Sequence, residues 1–365
     1  MPKRLAIFFH SLYGGGAEKA MLNLACGLSG LGIEVDLVLL RVEGPYLSQL
    51  PPEVRTIDLG GRRLLFSFNA LLRYLRQEQP SVLLSTLDDT NIAALWTRRL
   101  SGKKMRLVVN VQNTISQDAK NAVQLKTKLM PQLVKWFFPW ADAVVTVSQG
   151  VADDLVRLGV LSDRIQVIHN PVVTPDLLQR AQAPLEHSWF APGQPPVILG
   201  VGRLEKQKDF PTLIRAFAQV RQHIPARLMI LGEGNERSPL ESLVQELNLT
   251  EDVSLPGFVS NPYAYMSRAA VFVLSSLFEG LPTVLIEALA VGTPVVATNC
   301  ESGPMEILAN GQYGKLVAIG NTQELAQAII ETLTNVPDSN VLQQRASEYS
   351  LEKALSQYLQ VLQIN

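Results

Sequence analysis

Glu279 and Glu287 stand eight positions apart, separated by Gly280-Leu281-Pro282-Thr283 and then Val284-Leu285-Ile286. An ionised carboxylate accepts hydrogen bonds and can hold two hydroxyls at once. Pro282 suits the first turn of a helix, where its missing N–H costs nothing. The spacing therefore predicts a strand over 271–274, a loop over 275–281 and a helix from about Pro282. Glu279 falls in the loop. Glu287 falls between one and two turns into the helix, among apolar neighbours that a solvated glutamate does not explain. Backbone N–H groups at a helix start bind anions. Carboxylates beside such a start suit a ligand with both hydroxyls and phosphate, such as a nucleotide sugar. The other chemistry open to the two acids is that of an acid/base pair flanking a glycosidic bond.

Two cations follow an earlier predicted strand, in Gly202-Arg203-Leu204-Glu205-Lys206-Gln207-Lys208-Asp209. Arginine can grip two phosphate oxygens and lysine acts as a point charge, so Arg203 and Lys208 suit a diphosphate. Gly202 permits close backbone approach. A solvated charge cluster in a loop is the plainer alternative. Near the start, Gly14-Gly15-Gly16 follows the first predicted strand and opens a helix, with His10 just before it. No Gly-Lys-Ser/Thr follows these glycines, so they are not a P-loop, and their spacing is not a dinucleotide fingerprint. Asp88-Asp89 and Asp153-Asp154 lack metal-ligand spacing and read as helix caps or turns. No metal site is expected.

The elements that must position these residues alternate. Strands are predicted over 5–9, 34–40, 82–86, 107–111, 143–147 and 165–168, with helices over 16–31, 70–77, 91–100 and 151–158 between them. The stretch 120–138 reads as one long helix, with Pro131 as the place where it would break. Six prolines between 170 and 196 mark a boundary, after which strand and helix signals resume to the end of the chain. Alternation of this kind predicts doubly wound parallel sheets. The expected division is an N-terminal domain over 1–175, a linker over 176–189 and a C-terminal domain over 190–349. A last helix over about 350–365 is expected to pack back on the first domain. Ligands of such sheets bind at the carboxyl ends of strands, so a site is expected in a cleft between the two.

At 365 residues, 47% hydrophobic and 18% charged, the chain has the composition of a soluble two-domain protein. The basic, then apolar start is too short in its apolar part for a signal peptide and reads as a first buried strand. Net charge is −1, but residues 1–185 carry 21 basic and 15 acidic side chains (+6), while 186–365 carry 11 and 18 (−7). The basic half would favour an anionic acceptor or membrane surface. In the segment 120–140, Lys120, Lys126, Lys128 and Lys135 alternate with apolar residues ending in Trp136, Phe137, Phe138 and Trp140. That pattern describes either a helix lying on an anionic bilayer or one packed on a sheet with solvated lysines. No nucleic-acid module is present.

Taken together, Val201-Gly202-Arg203-Leu204 with Lys208-Asp209, Leu231-Gly232-Glu233-Gly234, Leu255-Pro256-Gly257-Phe258-Val259, Glu279 to Ala288, and Gly292-Thr293-Pro294-Val295-Val296-Ala297 resemble glycosyltransferase family 4. The resemblance spans nearly the whole chain. It implies a GT-B fold, two Rossmann-like doubly wound domains facing each other across a cleft. It further implies a retaining, metal-independent transferase without a cofactor, moving a sugar from a nucleotide diphosphate sugar, above all a UDP-sugar. The acceptor it implies is a glycan or lipid-linked glycan of surface polysaccharide or glycolipid synthesis, in the cytoplasm or on the inner face of the plasma membrane. By this resemblance Glu287 holds the ribose and Glu279 lies near the sugar hydroxyls. Arg203 and Lys208 meet the diphosphate. Gly280, Leu281, Pro282 and Thr283, with Gly202, Gly15 and Gly16, border sugar and phosphate. Phe258 and Val259 border the base. Many members carry a sugar-contacting His where this chain has Gln112-Asn113, so Gln112, Asn113 and His10 all stand as candidates. A nucleotide-sugar epimerase and a non-catalytic sugar-nucleotide sensor are the alternatives.

Overall fold

The computed structural model describes residues 4–13, 15–61 and 64–364, so Gly14 of the glycine run lies outside the described residues. The chain divides into two compact units, one of Met1–Val172 with Leu351–Asn365, the other Val173–Ser350.

The first unit contains strands β1 (Leu5–Phe9), β2 (Val35–Leu39), β3 (Arg55–Asp58), β4 (Val82–Thr86), β5 (Arg106–Val111), β6 (Ala143–Thr146) and β7 (Ile165–Val167). Its helices are α1 (Gly16–Gly30), α2 (Leu64–Glu78), α3 (Asp88–Ser101), α4 (Ile115–Asn121), α5 (Leu125–Lys128), α6 (Met130–Phe137) and α7 (Gln149–Arg157). Among the described residues the strands form one parallel sheet in the order β3-β2-β1-β4-β5-β6-β7. Runs such as Leu5-Ala6-Ile7-Phe8-Phe9 are buried along their whole length, as strands covered on both faces must be.

The second unit contains α8 (Pro175–Ala181), β8 (Val197–Val201), α9 (Phe210–Val220), β9 (Arg227–Leu231), α10 (Arg237–Glu246), β10 (Val253–Gly257), α11 (Tyr263–Met266), β11 (Val271–Leu274), α12 (Thr283–Ala290), β12 (Val295–Thr298), α13 (Pro304–Ile307), β13 (Lys315–Val317), α14 (Thr322–Thr334) and α15 (Ser339–Ala346). Its parallel sheet runs β10-β9-β8-β11-β12-β13. The closing helix α16 (Leu351–Leu362) returns to the first unit. There Tyr358 and Leu362 join the core of α1 and β1, and a Cβ on Gly27 of α1 would sit 2.9 Å from Leu355. Glycine at that position lets the two helices close together.

Three sequence expectations change. The stretch 120–138 is not one helix: α4, α5 and α6 follow each other, and the chain turns extended at Ala122 and Gln124. Pro131 lies in the first turn of α6, where a missing N–H is harmless. The stretch 176–189 is folded within the second unit: the Thr174 side chain caps α8, and Asn261 Nδ2 and Ser267 Oγ donate to the carbonyls of Arg180 and Ala181. Strand β3 carries no apolar run and escaped the sequence pattern. It is held by register with β2 and by Arg55, whose guanidinium donates twice to the buried Asp36.

Candidate functional site

In both sheets the strand order reverses beside the first strand, between β1 and β4 and between β8 and β11. Crossovers leave on opposite faces there, so the carboxyl ends of those strands open a crevice suited to a ligand.

In the second unit the loops after β8 and β11 are tied together at this point. Ser275 Oγ donates to the Lys208 carbonyl at 2.7 Å, the Leu277 N–H to the Gln207 carbonyl at 2.8 Å, and Gln207 Nε2 to the Phe278 carbonyl at 2.9 Å. The seam sets Lys208 Nζ 2.5 Å from Glu279 Oε1, to which Ser276 Oγ also donates at 2.6 Å. The lysine stem lies along Gly202, where a Cβ would come within 3.2 Å of it. Arg203, one residue on, is exposed and makes no ion pair among the described residues. Asp209 adopts a left-handed φ of 45° to start α9 and accepts from Thr212 Oγ1.

The Gly232-Glu233-Gly234 turn braces the same loop. Gly202 N–H donates to the Leu231 carbonyl and Leu204 N–H to the Glu233 carbonyl. A Cβ on Gly232 would collide with the Gly202 carbonyl oxygen at 1.9 Å, and its φ of 145° already requires glycine.

Gly280, Leu281 and Pro282 are buried, Ser302 Oγ donates to the Gly280 carbonyl, and α12 begins at Thr283 with Pro282 as its cap. Glu279 and Glu287 are only 7% and 8% exposed, so both acids lie inside the protein wall. Phe258, just past β10, is exposed and Val259 half-buried. The Cys300 thiol is pushed up to about 12 by burial and then by the Glu279 charge, which keeps it protonated. Among the described residues no three His, Cys, Asp or Glu side chains converge as metal ligands.

In the first unit, Gly15 caps α1 and Gly16 begins it, with the Glu18 carboxylate folded over Gly15. His10 follows β1, and its Nε2 lies 3.0 Å from Asp89 Oδ1. Gln112 is buried and its amide is committed. It donates to Asn110 Oδ1 at 2.5 Å and accepts from Asn170 Nδ2 at 2.8 Å, while Asn110 Nδ2 donates to Tyr358 Oη. Asn113 is exposed. Sequence reasoning passed over Asp89 as a helix cap. Its position just beyond β4, matching that of His10 beyond β1, was the available signal.

Two doubly wound units, with a cation paired to a buried acid in the loop before a helix that carries a second buried acid, match the architecture that the sequence resemblance implies. The model "Glycosyl transferases group 1" matches residues 183–349 and "Glycosyltransferase Family 4" matches residues 14–175. The N-acetylgalactosamine-N,N'-diacetylbacillosaminyl-diphospho-undecaprenol 4-alpha-N-acetylgalactosaminyltransferase of Campylobacter jejuni is 33% identical over 345 residues, 90% of this chain and 89% of that protein. The lipopolysaccharide core biosynthesis glycosyltransferase LpsE of Rhizobium meliloti is 28% identical over 97% of both. Among solved structures, Anabaena HepE with UDP-glucose superposes with a TM-score of 0.83 at 19% identity, over 99% of both chains. The chain belongs to glycosyltransferase family 4, has the GT-B fold and is a glycosyltransferase. The relatives named give the epimerase alternative no support.

Proposed function

We propose that this enzyme transfers a hexosyl or N-acetylhexosaminyl group from a UDP-sugar to a lipid-linked glycan, with retention and without a metal ion. The observation that carries the reading is the second unit's switch point, where Lys208 meets Glu279 in the loop before α12, with Arg203 exposed on the loop of Lys208 and Glu287 buried on α12 itself. As the sugar leaves, negative charge grows on the diphosphate. Arg203, exposed and available, meets it, and the helix N–H groups add partial positive charge. Lys208 works through its contact with Glu279, which holds the ammonium in place and accepts sugar hydroxyls on its own account. Glu287 accepts from the ribose. Fixed cations of this kind perform the charge neutralisation that a metal performs elsewhere. Attack by the acceptor on the face the diphosphate leaves needs no protein nucleophile and retains the anomeric configuration.

The Campylobacter relative's name includes an undecaprenyl diphosphate acceptor, which supports a polyprenyl-linked glycan here. No helix among the described residues is long and apolar enough to cross a membrane. Val123, Leu125, Leu129 and Trp136 are exposed beside exposed Lys120, Lys126, Lys128 and Lys135. They support peripheral contact with the anionic inner face of the plasma membrane.

The test is transfer from a panel of UDP-sugars to polyprenyl diphosphate-linked glycans, with and without EDTA, and NMR of the product linkage. An α-linked product formed in EDTA is expected. No transfer from any donor refutes the reading, an inverted product refutes retention, and a strict divalent-metal requirement refutes the metal-free mechanism.

A further inference from the structure

We propose that His10 and Asp89 form a hydroxyl-holding pair at the switch point of the first unit, gripping a sugar substrate. The inference rests on the transferase reading above and adds a second polar site to it.

The two units repeat one arrangement. In the second, a base beyond β8 (Lys208) meets a carboxylate beyond β11 (Glu279) across the point where strand order reverses. In the first, a base beyond β1 (His10) meets a carboxylate beyond β4 (Asp89) across the equivalent point. The strands that carry them are direct parallel neighbours in each sheet.

The pair is built firmly. The Arg41 N–H donates to the His10 carbonyl, which fixes the backbone beneath the ring. Leu87 holds a left-handed φ of 77° immediately before α3. Such a conformation in a branched residue costs on the order of 1–3 kcal/mol and persists only where surroundings enforce it. Thr90 Oγ1 donates to the Leu87 carbonyl, Asn91 Nδ2 to the Asn110 carbonyl, and the Thr90 N–H to Asp89 Oδ1. Side chains of His10 and Asp89 are 39% and 30% exposed, shielded on one side yet open to a ligand on the other. The contact with Asp89 engages Nε2 and leaves Nδ1 to meet a substrate hydroxyl, which can donate or accept. Gln112, the competing candidate, has its amide occupied by Asn110 and Asn170.

The surrounding charge selects the ligand. Asp88 stands beside the pair on α3, with Asp118 of α4 and Asp154 of α7 beyond it, and Lys126 of α5 is the cation felt by Asp89. The ionised Asp89 in the pair itself disfavours a phosphate and tolerates a neutral polyol. Burial raises the Asp89 carboxyl, but the His10 hydrogen bond and charge, with Lys126, bring it below its ordinary value. Asp89 is thus ionised and acts as the positioning residue for His10.

The hydroxyl can belong to the donor sugar or to the acceptor glycan, and kinetics separates them. Wild type, His10→Ala and Asp89→Asn are compared for both KM values and kcat, with Tm as the folding control. His10→Ala is expected to lower kcat/KM about tenfold to a hundredfold, the loss of one substrate hydrogen bond in a shielded site. A raised donor KM assigns the donor hydroxyl and a raised acceptor KM the acceptor hydroxyl. Asp89→Asn keeps the shape of the side chain but loses the charge that holds the imidazole, so it should raise the same KM as His10→Ala, by a smaller factor and at nearly unchanged Tm. A purely structural role would lower Tm and leave both KM values alike, and this near-isosteric variant decides the matter even if His10→Ala does not fold. Unchanged KM values in both variants overturn the pair. Absence of transfer by the wild type would instead overturn the transferase reading itself.

Discussion

Lys208 Nζ lies 2.5 Å from Glu279 Oε1, with the two side chains 14% and 8% exposed. At that burial neither group stands well without the other. Removing one partner of a buried ion pair leaves an uncompensated charge and costs about 3–5 kcal/mol when burial is complete. Lys208→Ala and Glu279→Ala are each expected to lower Tm as well as kcat/KM, the latter by ~10²–10³. The double variant should lose less than the two losses combined, with a coupling of about 0.5–3 kcal/mol. Additive losses in a double-mutant cycle would mean that the two residues act independently.

Arg203 gives the opposite pattern. It is exposed and makes no ion pair among the described residues, so the folded state does not depend on it. Arg203→Ala should leave Tm within the small range typical of surface substitutions and lower kcat/KM by ~10². Arg203→Lys should recover only part, since lysine cannot grip two oxygens. Thermal melts beside steady-state kinetics check both statements, and a wild-type rate in Arg203→Ala would remove it from the diphosphate site.

The alternation of apolar runs and amphipathic stretches announced both sheets, because strands buried on two faces have little choice of residue. The Gly280-Leu281-Pro282-Thr283 turn announced α12 for the same local reasons. Long-range pairing was not legible. Nothing near Lys208 in sequence says that it will meet Glu279, and the seam that joins them runs through Gln207, Ser275 and Leu277. Gln112 stood as a ligand contact because the family resemblance puts a sugar-contacting His there. Its partners, Asn110 and Asn170, come together only when β5 and the end of β7 converge, beside Tyr358 of α16. Strand β3 is short and polar, and depends on Arg55 reaching Asp36.

Asp88 offers a test by pH. Burial, and then the charges of Asp118, Asp89 and Asp154, push its carboxyl from 3.8 up to about 7. Between those values the folded chain binds more protons than the unfolded one, so stability from this group is present at low pH and is lost as pH rises toward 7. Asp88→Asn removes the penalty. The variant should gain little Tm at pH 4 and most at pH 8, with the gain growing across the interval. A gain independent of pH, by calorimetry in matched buffers, would mean that Asp88 is solvated.

The aromatic cluster of the first unit sets the last expectation. Trp96 lies edge-on to Phe137 at 5.3 Å and to Trp140 at 5.0 Å, and the Arg99 guanidinium sits 4.8 Å over the Trp140 ring. These rings anchor α6 to α3, so they are occupied by packing. Trp136 meets Phe137 edge-on at 6.5 Å yet stays 61% exposed, and Leu125 and Val123 are 70% and 95% exposed. Amphipathic surfaces with lysines on their flanks bind anionic bilayers through apolar insertion and charge together, at about 1 kcal/mol per lysine. Leu125→Ser with Trp136→Ser should therefore weaken sedimentation with phosphatidylglycerol vesicles while leaving Tm nearly unchanged. Lys126→Gln with Lys128→Gln should weaken it further at low salt than at high salt, because exposed charge is screened. Binding that is equal to neutral vesicles, or insensitive to all four changes, would place any membrane contact elsewhere on the chain.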